Sequence, residues 1–165
     1  MTIFGRLFGW GKSDPAVAFR EEVRAAFRFL VDEFSFVEQA AAPQAYELAF
    51  STDRTRVVVE GTEYGRSART AFGGARRPFE DYDLGLLLKL RRPDLLAAGQ
   101  AALGDLQATQ SDAIHRHASD LREVASDVLR GDHTIFPDLA AEIERRRAAY
   151  EEHMRRSPNE PPPRF

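Results

Sequence analysis

Tyr46-Glu47-Leu48-Ala49-Phe50-Ser51-Thr52-Asp53-Arg54-Thr55-Arg56-Val57-Val58-Val59-Glu60 decides the fold. Tyr46, Leu48 and Phe50 alternate with Glu47, Ala49 and Ser51, the period of a strand with one buried face. Ser51-Thr52-Asp53-Arg54 has turn chemistry, and the β-branched run Val57, Val58, Val59 makes Thr55–Glu60 the returning strand of a hairpin. Gly61-Thr62-Glu63-Tyr64-Gly65 turns the chain into a third strand near Arg66–Phe72, and Ser35–Gln39 is a strand candidate on the other side. Gly73, Gly74 and Pro78 close the sheet region. A short antiparallel meander follows from these residues alone.

Outside the meander the period becomes helical. Asp14 and Pro15 mark a helix start, and Phe19, Val23, Phe27, Leu30 and Phe34 share one face of an amphipathic helix expected over residues 14–34. Leu84, Leu87, Leu88 and Leu90 predict a short helix ended by Arg91-Arg92-Pro93, with Gly85 weakening it. A long, interruptible helix is expected over 94–130, with Leu103, Leu106, Ile114, Leu121, Val124 and Val128 along its seam and Gly131 as its stop. Pro137-Asp138 starts another, with Leu139, Ile143, Tyr150 and Met154 on one face. The expected fold class is α+β: an N-terminal helix against a small antiparallel meander, then a short helix and two longer C-terminal helices. Its domain plan is an apolar segment 1–13, one domain over 14–156, and a Pro-rich tail 157–165. Tyr46, Leu48, Phe50, Val57 and Val59 are expected to face Phe27, Leu30 and Phe34.

Composition narrows the function classes. The 165 residues suffice for one domain with a real core. Lys and Arg total 23 against 26 Asp and Glu, so the two signs are mixed and no polybasic field awaits nucleic acid. Cysteine is absent, which removes disulfides, thiolate nucleophiles and zinc-thiolate sites. No window reaches the ~20 apolar residues of a membrane span. The N-terminus lacks the long apolar run and cleavage site of a secretion signal, so a cytoplasmic location is expected.

Candidate sites divide into chemistry and recognition. His115 and His117 are two apart, diverge by about 200° on a helix and therefore do not chelate one ion. No metal or other cofactor is expected. Gly73-Gly74-Ala75-Arg76-Arg77 lacks the ending of a P-loop and reads as a strand-to-helix connection; Arg66, Arg69, Arg76 and Arg77 are the residues of any basic patch. Arg145-Arg146-Arg147, set among glutamates, reads as a solvated helix face. Glu80, Asp81 and Asp83 form an acidic cluster read as a helix cap, which also offers a partner an acidic surface. Phe4, Leu7, Phe8 and Trp10 lie before the first convincing element, and aromatic residues of this kind make good protein-binding anchors. Self-packing on the domain and a membrane surface are the other readings of residues 1–12.

With the helix Phe19–Phe34 set before Ser35-Phe36, and the Val57-Val58-Val59 strand set before Leu84–Leu90, residues 19–90 resemble small bacterial α+β proteins. Some of these are similar to immunity proteins of bacterial toxin systems. The resemblance implies a protein that neutralises or accompanies another protein, with no catalytic residues to carry over. The expected function is a non-enzymatic protein–protein interaction module, immunity-like or an accessory subunit of a bacterial complex. Its expected partner-binding residues are Phe4, Leu7, Phe8, Trp10, Glu80, Asp81 and Asp83. The alternatives are a peripheral membrane adaptor tethered by residues 1–12 and a hydrolase using the acidic cluster 80–83.

Overall fold

The computed structural model describes residues 14–40, 44–62, 67–76, 81–103 and 108–156. Strands β1 (Val37–Glu38), β2 (Glu47–Ser51), β3 (Thr55–Thr62), β4 (Ser67–Gly74) and β5 (Tyr82–Asp83) form one antiparallel sheet in sequence order, a meander. Leu48 faces Val59, Phe50 faces Val57 and Val57 faces Phe72 across the ladder. These residues, with Ala68 and Tyr82, belong to the main apolar cluster, whereas the intervening Ala49, Val58 and Ala71 are buried outside that cluster. One face of the sheet therefore carries the helices, as the period-two pattern requires.

The expected helix over 14–34 is two helices, α1 (Pro15–Ala26) and α2 (Arg28–Phe34). Asp14 caps the first by accepting from the Ala16 N–H at 2.9 Å. The break falls at Phe27, whose φ of −95° and ψ of 13° leave the helical region. Phe27, Phe29 and Leu30 are all buried, yet residues two apart point about 200° away from each other on a continuous helix. Breaking the helix lets both rings enter the core, where they stack at 6.1 Å. Phe34 is only partly buried, and Tyr46 remains 40% exposed with its ring edge-on to Phe19 at 5.9 Å.

The helical half follows as α3 (Leu84–Arg91), α4 (Pro93–Leu103), α5 (Gln110–Val124), α6 (Ser126–Leu129) and α7 (Phe136–Arg156). The expected 94–130 helix is thus three. Thr109 and Asp112 form a reciprocal capping box that starts α5 afresh. Arg91 locks α3 to the α5–α6 corner by donating to both Asp127 oxygens, at 2.7 and 2.6 Å, and to the Val124 carbonyl. Of the expected face of α7, Leu139 is buried, while Ile143, Tyr150 and Met154 are 36%, 45% and 37% exposed. No described helix is long and apolar enough to cross a membrane.

A buried hydroxyl ties the sheet to the end of α6. Thr55, fully buried, donates to the Val128 carbonyl at 2.9 Å and lies 2.9 Å from His133 Nε2. Its single proton is spent on Val128, so it accepts from His133, which fixes the Nε2–H tautomer. Beside it Gly131 has a φ of +87°, and a Cβ there would meet the Arg54 Cδ at 2.5 Å. Thr55→Val keeps the shape but leaves a carbonyl and a ring N–H unmatched. It is expected to lower stability by about 1–3 kcal/mol in urea titration; a change within a few tenths would show that water replaces the hydroxyl.

Candidate functional site

The described residues enclose a cleft of about 280 Å³ where β4, α3, α4 and α5 meet. Leu84 and Leu88 of α3 with Leu95 and Leu96 of α4 form its apolar wall, while Arg116, His117 and Asp120 of α5 and Asp83 supply polar groups. The sequence explains the arrangement. Asp83 caps α3 by accepting from the Gly85 N–H at 2.8 Å, which pins the acidic cluster to the cleft's edge. Gln110 donates to the Ser67 carbonyl at 2.9 Å, so α5 starts against the start of β4 and runs along it.

Positions Ala113, His117, Asp120 and Val124 follow the i, i+4, i+7, i+11 rhythm of a buried helical stripe. This stripe delivers His117 and Asp120 to the interior side. His117 Nδ1 shares a hydrogen bond with Thr70 Oγ1 at 3.2 Å. Burial, helped by the Arg116 charge and opposed by Asp83, pushes its imidazole down to about 4, so the ring is neutral at pH 7. His115, by contrast, is exposed and meets Glu22 of α1 at 2.7 Å. Asp120 is 8% exposed and accepts no hydrogen bond from any described residue. Burial raises its carboxyl pKa; Arg116 and Arg92 oppose that shift and Glu123 adds to it.

Asp81 and Asp83, both about half exposed, share one counter-charge. Both converge on Arg69, at 2.8 and 3.3 Å, and Glu60 approaches the same guanidinium at 3.1 Å. Three carboxylates around one arginine make Arg69 a structural hub at the sheet edge rather than part of a basic patch. Of the expected partner-binding residues, Asp83 lines the cleft, Asp81 sits beside it, and Phe4, Leu7, Phe8, Trp10 and Glu80 lie outside the described residues. His117 and Asp120 were reachable only through that stripe, since a carboxylate inside an apolar helical rhythm signals an interior charge; Arg116 lies off the stripe and carried no such signal. Among the described residues, no group of three or more His, Asp or Glu is placed to hold a metal ion.

Fold and cleft together define a two-layer α+β protein with a mixed polar and apolar pocket on its helical side. No family model, curated protein or solved structure matches the chain.

Proposed function

We propose that this protein is a non-enzymatic interaction module of the cytoplasm, one that accompanies or neutralises another protein, and that its partner enters the cleft between β4, α3, α4 and α5. The observation that carries this reading is a leucine-walled cleft holding two charges of opposite sign, Arg116 and Asp120, neither of which has an ion-pair or hydrogen-bond partner among the described residues. Convergent polar groups over an apolar wall are the usual make-up of a recognition pocket. Of the groups suited to acid–base chemistry, Asp81 and Asp83 are engaged on Arg69 and His117 on Thr70, which leaves Asp120 without a second such group beside it among the described residues. That favours recognition over turnover.

The test is affinity capture from the native host with three baits: the intact chain, a chain lacking residues 1–12, and Gly99→Trp, which fills the cleft from α4. A stoichiometric protein held by the first two and lost with the third is the expected result, provided circular dichroism shows Gly99→Trp folded. Loss on truncation alone would move the binding surface to Phe4, Leu7, Phe8 and Trp10. A partner held equally by all three would remove the cleft from the interaction.

A further inference from the structure

Arg116 and Asp120 stand four residues apart on α5, the spacing at which an arginine and an aspartate ordinarily pair on a helix surface. Here they do not: no nitrogen–oxygen approach of 4.0 Å or less joins them, and no other described residue pairs with either. Arg116 is drawn the other way, across to α4, where a Cβ on Gly99 would lie 3.6 Å from its Nε and 4.0 Å from its Cδ. Asp120, more than nine-tenths buried as a residue, lines the cleft with no donor among the described residues. A ligand that brings a donor to Asp120 and an acceptor to Arg116 gains a charge-assisted hydrogen bond at each.

The other charges around the cleft are already balanced. Asp83 lies on Arg69, Arg146 lies on Glu142 at 3.3 Å, and the His117 ring is bonded to Thr70. What remains to be read is one cation and one carboxylate side by side, next to leucines. A phosphate dianion brings no N–H to Asp120 and repels it with two charges, and a simple amine brings no acceptor to Arg116. An ionised carboxylate flanked by a neutral N–H offers an acceptor to one and a donor to the other.

A peptide chain end has that chemistry: its terminal carboxylate and its last N–H sit on one Cα, roughly 3 Å apart, and the last side chain leaves from the same carbon. Resting on the reading of the cleft as the partner site, we infer that it captures the free C-terminus of the partner chain, ending in an apolar residue. The terminal carboxylate lies on Arg116, the last N–H donates to Asp120, and the last side chain packs against Leu84, Leu88, Leu95 and Leu96. Capture of a chain terminus by fixed polar groups is an established mode of peptide recognition, and Gln100, exposed at the rim, marks where the preceding residues leave.

The experiment is fluorescence anisotropy of the full chain with labelled pentapeptides ending in valine, leucine, isoleucine, methionine or phenylalanine. Each is offered as free acid and as C-terminal amide. At least one free acid is expected to bind, with affinity falling tenfold or more for its amide and for Arg116→Gln, and lost with Gly99→Trp. Equal binding of acid and amide would overturn the inference, as would failure of every peptide to bind the intact chain. Unlabelled free leucine competing as well as the best peptide would overturn it in favour of a free amino acid. If host capture still depends on Gly99 while no peptide binds, the cleft keeps its partner and only the chain-end reading falls.

Discussion

Phe72→Ala is expected to lower the unfolding free energy by about 3–5 kcal/mol, the cost of emptying a buried aromatic site that cannot collapse. Phe72 is fully buried on β4, opposite Val57 of β3 and Tyr82 of β5. Its ring lies 6.3 Å from Tyr82 and 6.4 Å from Phe136, while those two are 4.7 Å apart, so one side chain joins the sheet, the β5 strand and the start of α7. Backbone ladders on both sides hold the strand in place and limit how far neighbours relax into the void. Of a typical domain stability of about 5–15 kcal/mol, such a loss is a large share. A chain of this length should melt roughly 10 °C lower. Val31→Ala, at a half-exposed site on α2, serves as the control and is expected to change stability by less than about 0.5 kcal/mol. A Phe72→Ala loss under 1 kcal/mol would mean that β4, β5 and α7 are not one cooperative core.

The elements readable in the sequence are those in which local chemistry and burial agree. The hairpin could be read because Leu48, Phe50, Val57 and Val59 alternate and all face one layer. The cap of α3 could be read because Asp83 needs only the Gly85 N–H to act. Where two demands compete, local pattern misleads. Phe19, Val23, Phe27, Leu30 and Phe34 fit one helix, but they leave out Phe29, and burying Phe27 and Phe29 together requires the break. The capping box of Thr109 and Asp112 was a visible start signal inside the 94–130 stretch, masked by the continuity of the apolar seam.

The cleft shows a different limit. On a lone helix Arg116 and Asp120 are an ordinary exposed pair. They become a site because α4 passes Arg116 at Gly99, and because α5 packs along β4 with Asp120 among its buried residues. Both causes lie on elements distant in sequence. The acidic cluster shows the same limit: Asp81 and Asp83 look free in sequence, and the fold supplies Arg69 from the neighbouring strand as their counter-charge.

Stability is expected to fall by about 3 kcal/mol as pH drops from 6.5 to 4, with His117 as the principal cause. In the folded chain its imidazole titrates at about 4, against an ordinary 6.5 when unfolded. Between those values the unfolded chain binds a proton that the folded chain refuses. The His117 contribution is therefore complete above 6.5 and is lost progressively down to 4. Other groups act mainly below about pH 5 or in the opposite sense. Glu22, Glu38, Asp94, Asp112, Asp127 and Glu142 are held below their usual values, mainly by hydrogen bonds from their partners, so their contributions begin to be lost as pH falls through those usual values, near the lower end of this window, and go on being lost below it. Asp120 and Glu47 are raised by burial, so protonating them on acidification relieves the folded state and offsets part of the slope. His117→Gln separates these effects, because an amide reaches Thr70 without titrating. Urea midpoints should slope between pH 6.5 and about 5 for the native chain and flatten there for the variant, while both slope below about pH 5 as the carboxylates titrate. An unchanged slope in His117→Gln would assign the acid sensitivity to carboxylates and require the imidazole to be reached by water, which would also weaken the argument that His117 adds no charge to the cleft.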